Sequence, residues 1–166
     1  MEPSMKAILT ACIALAGLPV VTPMVLADVT RVSAPAGVTT FYDALNAAPG
    51  KDVWRLLEQA TAPDWVSCGT NDVCLSREQV IAAIARRHKA IPDLKWEIKE
   101  VVETGDRVIV RGEAIGTPAG DFMGVPYGGK SFKLMSIDVH TIADGKLTRS
   151  YHLEDWMGAV RQLSAQ

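Results

Sequence analysis

Two runs of alternating residues, Ser131–Ile142 and Leu147–Asp155, flank Ala143-Asp144-Gly145, and this arrangement constrains the chain more than any other stretch. Asp-Gly between period-2 runs is the strongest short-range signal for a β-hairpin. Side chains alternate across a strand, so the hairpin has two unlike faces. Odd positions carry Lys133, Met135, Ile137, Val139 and Thr141, then Leu147, Arg149, Tyr151 and Leu153. Even positions carry Ser136, Asp138 and His140, then Thr148, Ser150 and His152. One face is largely apolar; the other holds a carboxylate, imidazoles and hydroxyls.

Whether Asp138 and His152 share a face depends on the bend. A two-residue Asp144-Gly145 turn pairs Ala143 with Lys146 and sends the two residues to opposite sides. A three-residue loop, with Gly145 left-handed in a bulge, pairs Ile142 with Lys146. Asp138 then faces Ser150, Ser136 faces His152, and Asp138 and His152 become diagonal neighbours within reach. The longer loop is preferred, because it keeps Met135, Ile137 and Val139 opposite Leu153, Tyr151 and Arg149. One residue of register decides the site.

At the other end, Lys6 precedes an apolar run from Ala7 to Val21, followed by Val25-Leu26-Ala27. A basic residue, an apolar stretch and a small-residue exit predict a secretory signal peptide over 1–27, with Asp28–Gln166 as the mature chain. The alternative, a membrane anchor, is disfavoured by the short run and by Pro19. The expected location is periplasmic or secreted, with no membrane attachment after cleavage. Residues 28–37 read as a flexible lead-in, and 38–166 as one domain with one core. A formal charge of −2 gives no electrostatic case for nucleic acid. In an exported protein Cys68 and Cys74 pair by default, which is worth roughly 2–2.5 kcal/mol for so small a ring.

Phe41, Tyr42 and Leu45 recur at helical spacing within 38–47, and Val53, Trp54, Leu56 and Leu57 within 51–59. Pro63 ends the second helix, and residues 64–67 make a short strand. Ser76 with Gln79 predicts a capping box for a helix over 77–88. Arg86, Arg87, His88 and Lys89 crowd its last turn, where cations are favoured. From Pro92 the period becomes 2, over 94–103 and 107–115. A Gly116–Lys130 loop with five glycines and two prolines then leads to the hairpin. Helices followed by a run of strands predict an α+β domain, with N-terminal helices packed on a curved antiparallel sheet.

Ile91-Pro92-Asp93-Leu94, Gly105-Asp106-Arg107-Val108, Phe122-Met123-Gly124-Val125-Pro126, Ile142-Ala143-Asp144-Gly145-Lys146-Leu147 and Arg161-Gln162-Leu163 occur in this order. Their order and spacing resemble the SnoaL-like polyketide (ester) cyclases of the nuclear-transport-factor-2-like superfamily, over roughly Val38 to Leu163. The resemblance implies a cone-shaped α+β barrel, a pocket between helices and concave sheet, and sheet-to-sheet homodimers. It also implies cofactor-free aldol chemistry with a last-strand aspartate as acid/base. Counted from the Asp144-Gly145-Lys146 turn, that aspartate falls at His152 and the histidine near it at Asp138, so the two residue types are exchanged.

Histidine is the side chain that titrates nearest neutrality, which makes His152 a candidate acid/base and Asp138 its orienting partner. The plainer alternative is a wet polar face with His152 at the surface. His140, nearer the turn, is expected in solvent. Ser136, Ser150, Tyr42, Trp54 and Trp65 are candidate pocket residues, although helical aromatics also suit a core. Phe122 and Met123 would contact ligand if their loop is a lid. No phosphate-binding glycine loop, metal-ligand cluster or nucleophile elbow stands out, so neither metal nor cofactor is expected. Two readings follow: an exported cyclase or isomerase acting on a small apolar carbonyl compound, or a non-catalytic periplasmic small-molecule-binding or interaction domain.

Overall fold

The structure, a computed structural model, describes residues 33–165. The expected signal peptide therefore lies outside the described residues, as does the first half of the lead-in, residues 28–32. Helices α1 (Ala36–Asn46) and α2 (Lys51–Ala60) come first, then strands β1 (Thr61–Cys68) and β2 (Cys74–Ser76) and helix α3 (Arg77–Ala90). Strands β3 (Lys95–Thr104), β4 (Arg107–Gly116), β5 (Phe132–Ala143) and β6 (Lys146–Glu154) follow, and helix α4 (Trp156–Ser164) closes the domain. Among these residues no helix is long and apolar enough to cross a membrane.

The six strands form one open sheet in the order β2-β1-β6-β5-β4-β3. It is mixed rather than wholly antiparallel, because β1 runs parallel to β6 while the other neighbours alternate. No local turn joins β1 to β6, so hairpin geometry does not dictate their relative direction. Pro63 does not stop α2 as expected. It sits in β1 between Thr61 and Val66, where the ladder with β6 shifts register, and a residue without an N–H belongs at such a break.

Helix α1 buries Val38, Phe41, Tyr42 and Ala44 against the inner sheet face. Each large apolar side chain removed from water contributes about 1.5–3 kcal/mol. The helix crosses that face from the hairpin bend, where Gly37 packs on Gly145 and Leu147, to the far edge. There Asn46 donates to the Trp96 carbonyl at 2.9 Å and accepts from the Trp96 N–H at 2.7 Å. A side-chain amide thus occupies backbone groups that an edge strand would otherwise leave open. Both halves of the expected capping box hold α3: Ser76 accepts from the Gln79 N–H, and Gln79 accepts from the Ser76 N–H.

The β5–β6 hairpin corrects the preferred turn. Ala143 pairs with Lys146, and Asp144 and Gly145 adopt φ of 51° and 75°, the signature of a two-residue turn with both central residues left-handed. Thr148 is then the extra residue of a bulge, since Ile142 pairs with Leu147 while Thr141 pairs with Arg149. The bulge restores the even register that the turn removes. Asp138 directly opposes His152, His140 opposes Ser150, and Ser136 opposes Glu154.

The polar face is therefore the inner one. Phe132, Leu134, Ser136, Asp138 and His140 of β5 are all buried, while Met135 and Leu153 are exposed on the outer side. Leu147, before the bulge, points inward with Ser150 rather than outward with Arg149 and Leu153. His140, expected in solvent, is fully buried.

Candidate active site

A cavity of about 120 Å³ lies between α1, α3 and the inner sheet face. Phe41 and Trp96 supply apolar walls, and Ser67, Arg87, Asp138, His152 and Glu154 supply polar ones. Strand β5 brings Asp138 and β6 brings His152 and Glu154, with alternate residues of one strand sharing the face.

The Asp138 carboxylate is buried, with 8% of its surface exposed. Tyr42 Oη donates to Oδ2 at 2.7 Å, and Ser136 Oγ reaches the same oxygen at 3.5 Å. Oδ1 accepts no hydrogen bond among the described residues, and neither a hydrogen bond nor an ion pair within 4.0 Å joins the carboxylate to His152, which faces it across the strands. Burial raises the Asp138 pKa to about 6, against the lowering effect of the Tyr42 hydrogen bond and the His152 charge, with Glu154 raising it further. The same burial, then the Asp138 charge, pushes the Tyr42 phenol well above its ordinary value, so it is a firm donor. Gly112, opposite Ser136 on β4, makes this approach possible. A Cβ there would stand 2.5 Å from Ser136 Oγ, closer than real Cβ contacts come, and 3.0 Å from Tyr42 Oη, tighter than most.

His152 is half-buried, and its Nε2 lies 3.1 Å from where a Cβ on Gly69 would be. Glu154 accepts from Trp156 Nε1 at 2.7 Å through Oε2, and its Oε1 lies 3.9 Å from Arg87. The Arg87 guanidinium sits between two indoles, 5.8 Å from Trp96 and 5.9 Å from Trp156, in cation–π range.

A second polar group lies deeper. Trp65 Nε1 donates to Ser150 Oγ at 3.0 Å, and that hydroxyl lies 2.8 Å from His140 Nδ1. With Trp65 donating, the Ser150 hydroxyl is free to donate onward to His140. Phe41 meets the imidazole edge-on at 5.5 Å. Burial, with the His152 charge second, lowers the His140 pKa to about 4, so this ring is neutral in the fold at ordinary pH.

Of the expected site residues, Asp138, His152, Tyr42 and Ser136 come together. Ser150 bonds both Trp65 and His140, and neither Ser150 nor Trp65 lines the cavity. Trp54 is 43% exposed on α2 and does not line it. Phe122 packs on Phe132 and Trp156 at 6.2 and 5.9 Å, beside α4 rather than over Asp138. Met123 is at the tip of a tight turn that closes between Phe122 and Val125. Cys68 and Cys74, directly paired between β1 and β2, form the expected disulfide. No group of three or more metal-ligating side chains occurs among the described residues. Sequence reasoning missed Arg87 and Glu154, whose bland role at helix ends was the only visible signal. It also missed Gly112, which carries no turn signature.

The family described as SnoaL-like polyketide cyclase matches residues 38–163. Among solved structures, IdmH of Streptomyces antibioticus is 26% identical with a TM-score of 0.67, over 78% of this chain and 96% of its own. TsrD of Streptomyces laurentii is 27% identical with a TM-score of 0.63, over 81% and 99%. A Catenulispora acidiphila protein with a ketosteroid isomerase-like fold, 16% identical, has a TM-score of 0.65 over 81% and 96%, a likeness of fold alone. Comparison with curated proteins gives no match. A match spanning the domain from the first turn of α1 to the last turn of α4 makes this chain a member of the SnoaL-like polyketide cyclase family, with the nuclear-transport-factor-2-like fold.

Proposed function

We propose that the protein is an exported, cofactor-free acid/base catalyst acting on a small carbonyl compound, with His152 and Asp138 as its proton-transfer pair. The observation that carries this reading is their direct cross-strand pairing at the wall of one cavity. His152 exchanges a proton with the carbon next to the carbonyl or with the carbonyl oxygen. Asp138, fixed by Tyr42, stands directly opposite His152 on the neighbouring strand, where its charge stabilises the imidazole cation.

The exchange of Asp and His relative to the family pattern keeps both groups on facing strands and reverses which strand supplies each. A panel of small ketones and β-keto esters in D₂O, followed by proton NMR, tests the assignment. The protein should speed exchange of the acidic C–H above the buffer rate, and His152→Gln should remove the ~10²–10⁴-fold that such proton transfer contributes. Equal rates in the two proteins would end the assignment. The disulfide supports the exported setting, because such bonds persist in oxidising compartments. The uncovered outer face with Met135 and Leu153 is the surface that a sheet-to-sheet homodimer would bury.

A further inference from the structure

Outside the Asp138–His152 cavity lies a more open hollow of about 350 Å³, lined by Arg86, Arg87, Phe122, Met123 and Trp156. The two hollows have one lining residue in common, Arg87. Its side chain is three-quarters buried, yet its guanidinium makes no hydrogen bond among the described residues, only the 3.9 Å ion pair with Glu154 and the two indole faces. Arginine carries five N–H donors in a planar fork suited to a carboxylate, so this cation is held in place with its donors unused. The inner cavity is smaller than the ~300–1,000 Å³ of ordinary small-molecule sites, whereas the outer hollow falls within that range.

We propose that Arg87 is the partition and selecting residue of a two-compartment site, taking an anionic amphipathic carbonyl compound. The reacting carbonyl end occupies the inner compartment, a carboxylate binds the Arg87 fork, and an apolar or aromatic portion lies against Phe122, Met123 and Trp156. This rests on the reading of Asp138 and His152 as the reacting end. The carboxylate belongs on the outer side of Arg87, because Glu154 and Asp138 would repel it within. The outer hollow fits this division: its lining pairs two cations with three apolar side chains and includes no acid. Met123 is displayed there at φ 49°, in a turn whose geometry ordinarily favours glycine or asparagine, and is 54% exposed.

Binding alone tests the proposal, with 2-naphthoate and its uncharged methyl ester as probes. In calorimetric or NMR titration of the mature protein the acid should bind at least ~10-fold more tightly than the ester. It should also shift the ring resonances of Trp156, which lines the outer hollow. Arg87→Gln and Arg87→Met should bring the acid-to-ester ratio close to one, and Arg87→Lys should restore part of it, which a purely structural clamp would not do. Equal affinity of acid and ester for the wild type overturns the proposal. So does binding of neither probe, a Trp156 resonance that does not move, or a preference that survives Arg87→Gln but is lost in Arg86→Gln. Because no turnover is read, this result is independent of whether His152 catalyses proton exchange.

Discussion

At the scale of single residues, the cost of the site is concentrated at Asp138. In the unfolded chain its carboxyl ionises at the ordinary 3.8, and in the fold at about 6 because it is buried. As pH rises between these values the unfolded chain releases its proton while the folded one keeps it, so folding loses stability through this window and no more above it. At about 1.4 kcal/mol per pH unit the loss is about 3 kcal/mol. Asp138→Asn should therefore match the wild type near pH 4. Above pH 6 it should exceed it by up to about 3 kcal/mol, reduced by whatever the Tyr42 bond loses on meeting an amide oxygen. His140 works in the opposite direction: its folded pKa of about 4 makes the fold lose stability as pH falls from about 6.5. It is present in both proteins and cancels in the difference. Urea unfolding of the pair at pH 4 and pH 8 reads the effect, and a difference that does not change with pH would mean that Asp138 is not held in a desolvated site.

At the scale of elements, the alternation of β3 to β6, the capping box of α3 and the apolar spacing of α1 and α2 were legible in the residues, because one side of each element faces the core. The hairpin was legible as a hairpin but not in its register. Asp144-Gly145 does form the short turn that its identity favours, and only the bulge at Thr148, a residue with no bulge signature, keeps Asp138 and His152 together. The inward placement of His140 was not legible either. Its partners, Ser150 and Trp65, come from β6 and β1, and β1 is brought alongside by a parallel pairing that no local pattern announces. Arg87 shows the same gap: helix-end chemistry explains a cation there, whereas the two indoles around it arrive from β3 and α4. If Thr148 is the supernumerary residue, removing it should leave Thr141 paired with Arg149 and Asp138 with His152. The shortened protein should stay within about 1 kcal/mol of the wild type in denaturant unfolding and retain C–H exchange within a few-fold. A variant that unfolds, or one that folds without activity, would show that the pairing depends on the bulge itself.

At the scale of the whole molecule, the proposed export bears on where the chain is cut: α1 starts at Ala36, beyond the cleavage site expected after Ala27. Cleavage there would remove Glu2 and Lys6 together, so the formal charge of −2 is the same before and after. The disulfide bears on the same point. Cys68 and Cys74 cap the β1–β2 ladder beside Gly69, against which the His152 ring rests, so oxidation also braces one wall of the site. In a reducing compartment that ring would open and the roughly 2–2.5 kcal/mol of its loop closure would be lost. Expression of the full chain in a bacterial host with a periplasm should yield protein in the periplasmic fraction, with Asp28 as its N-terminal residue and no free thiol at Cys68 or Cys74. N-terminal sequencing and thiol titration of that fraction check both points. Recovery of intact Met1 with both thiols free would remove the exported setting from the proposed function, while leaving the pairing of Asp138 and His152 untouched.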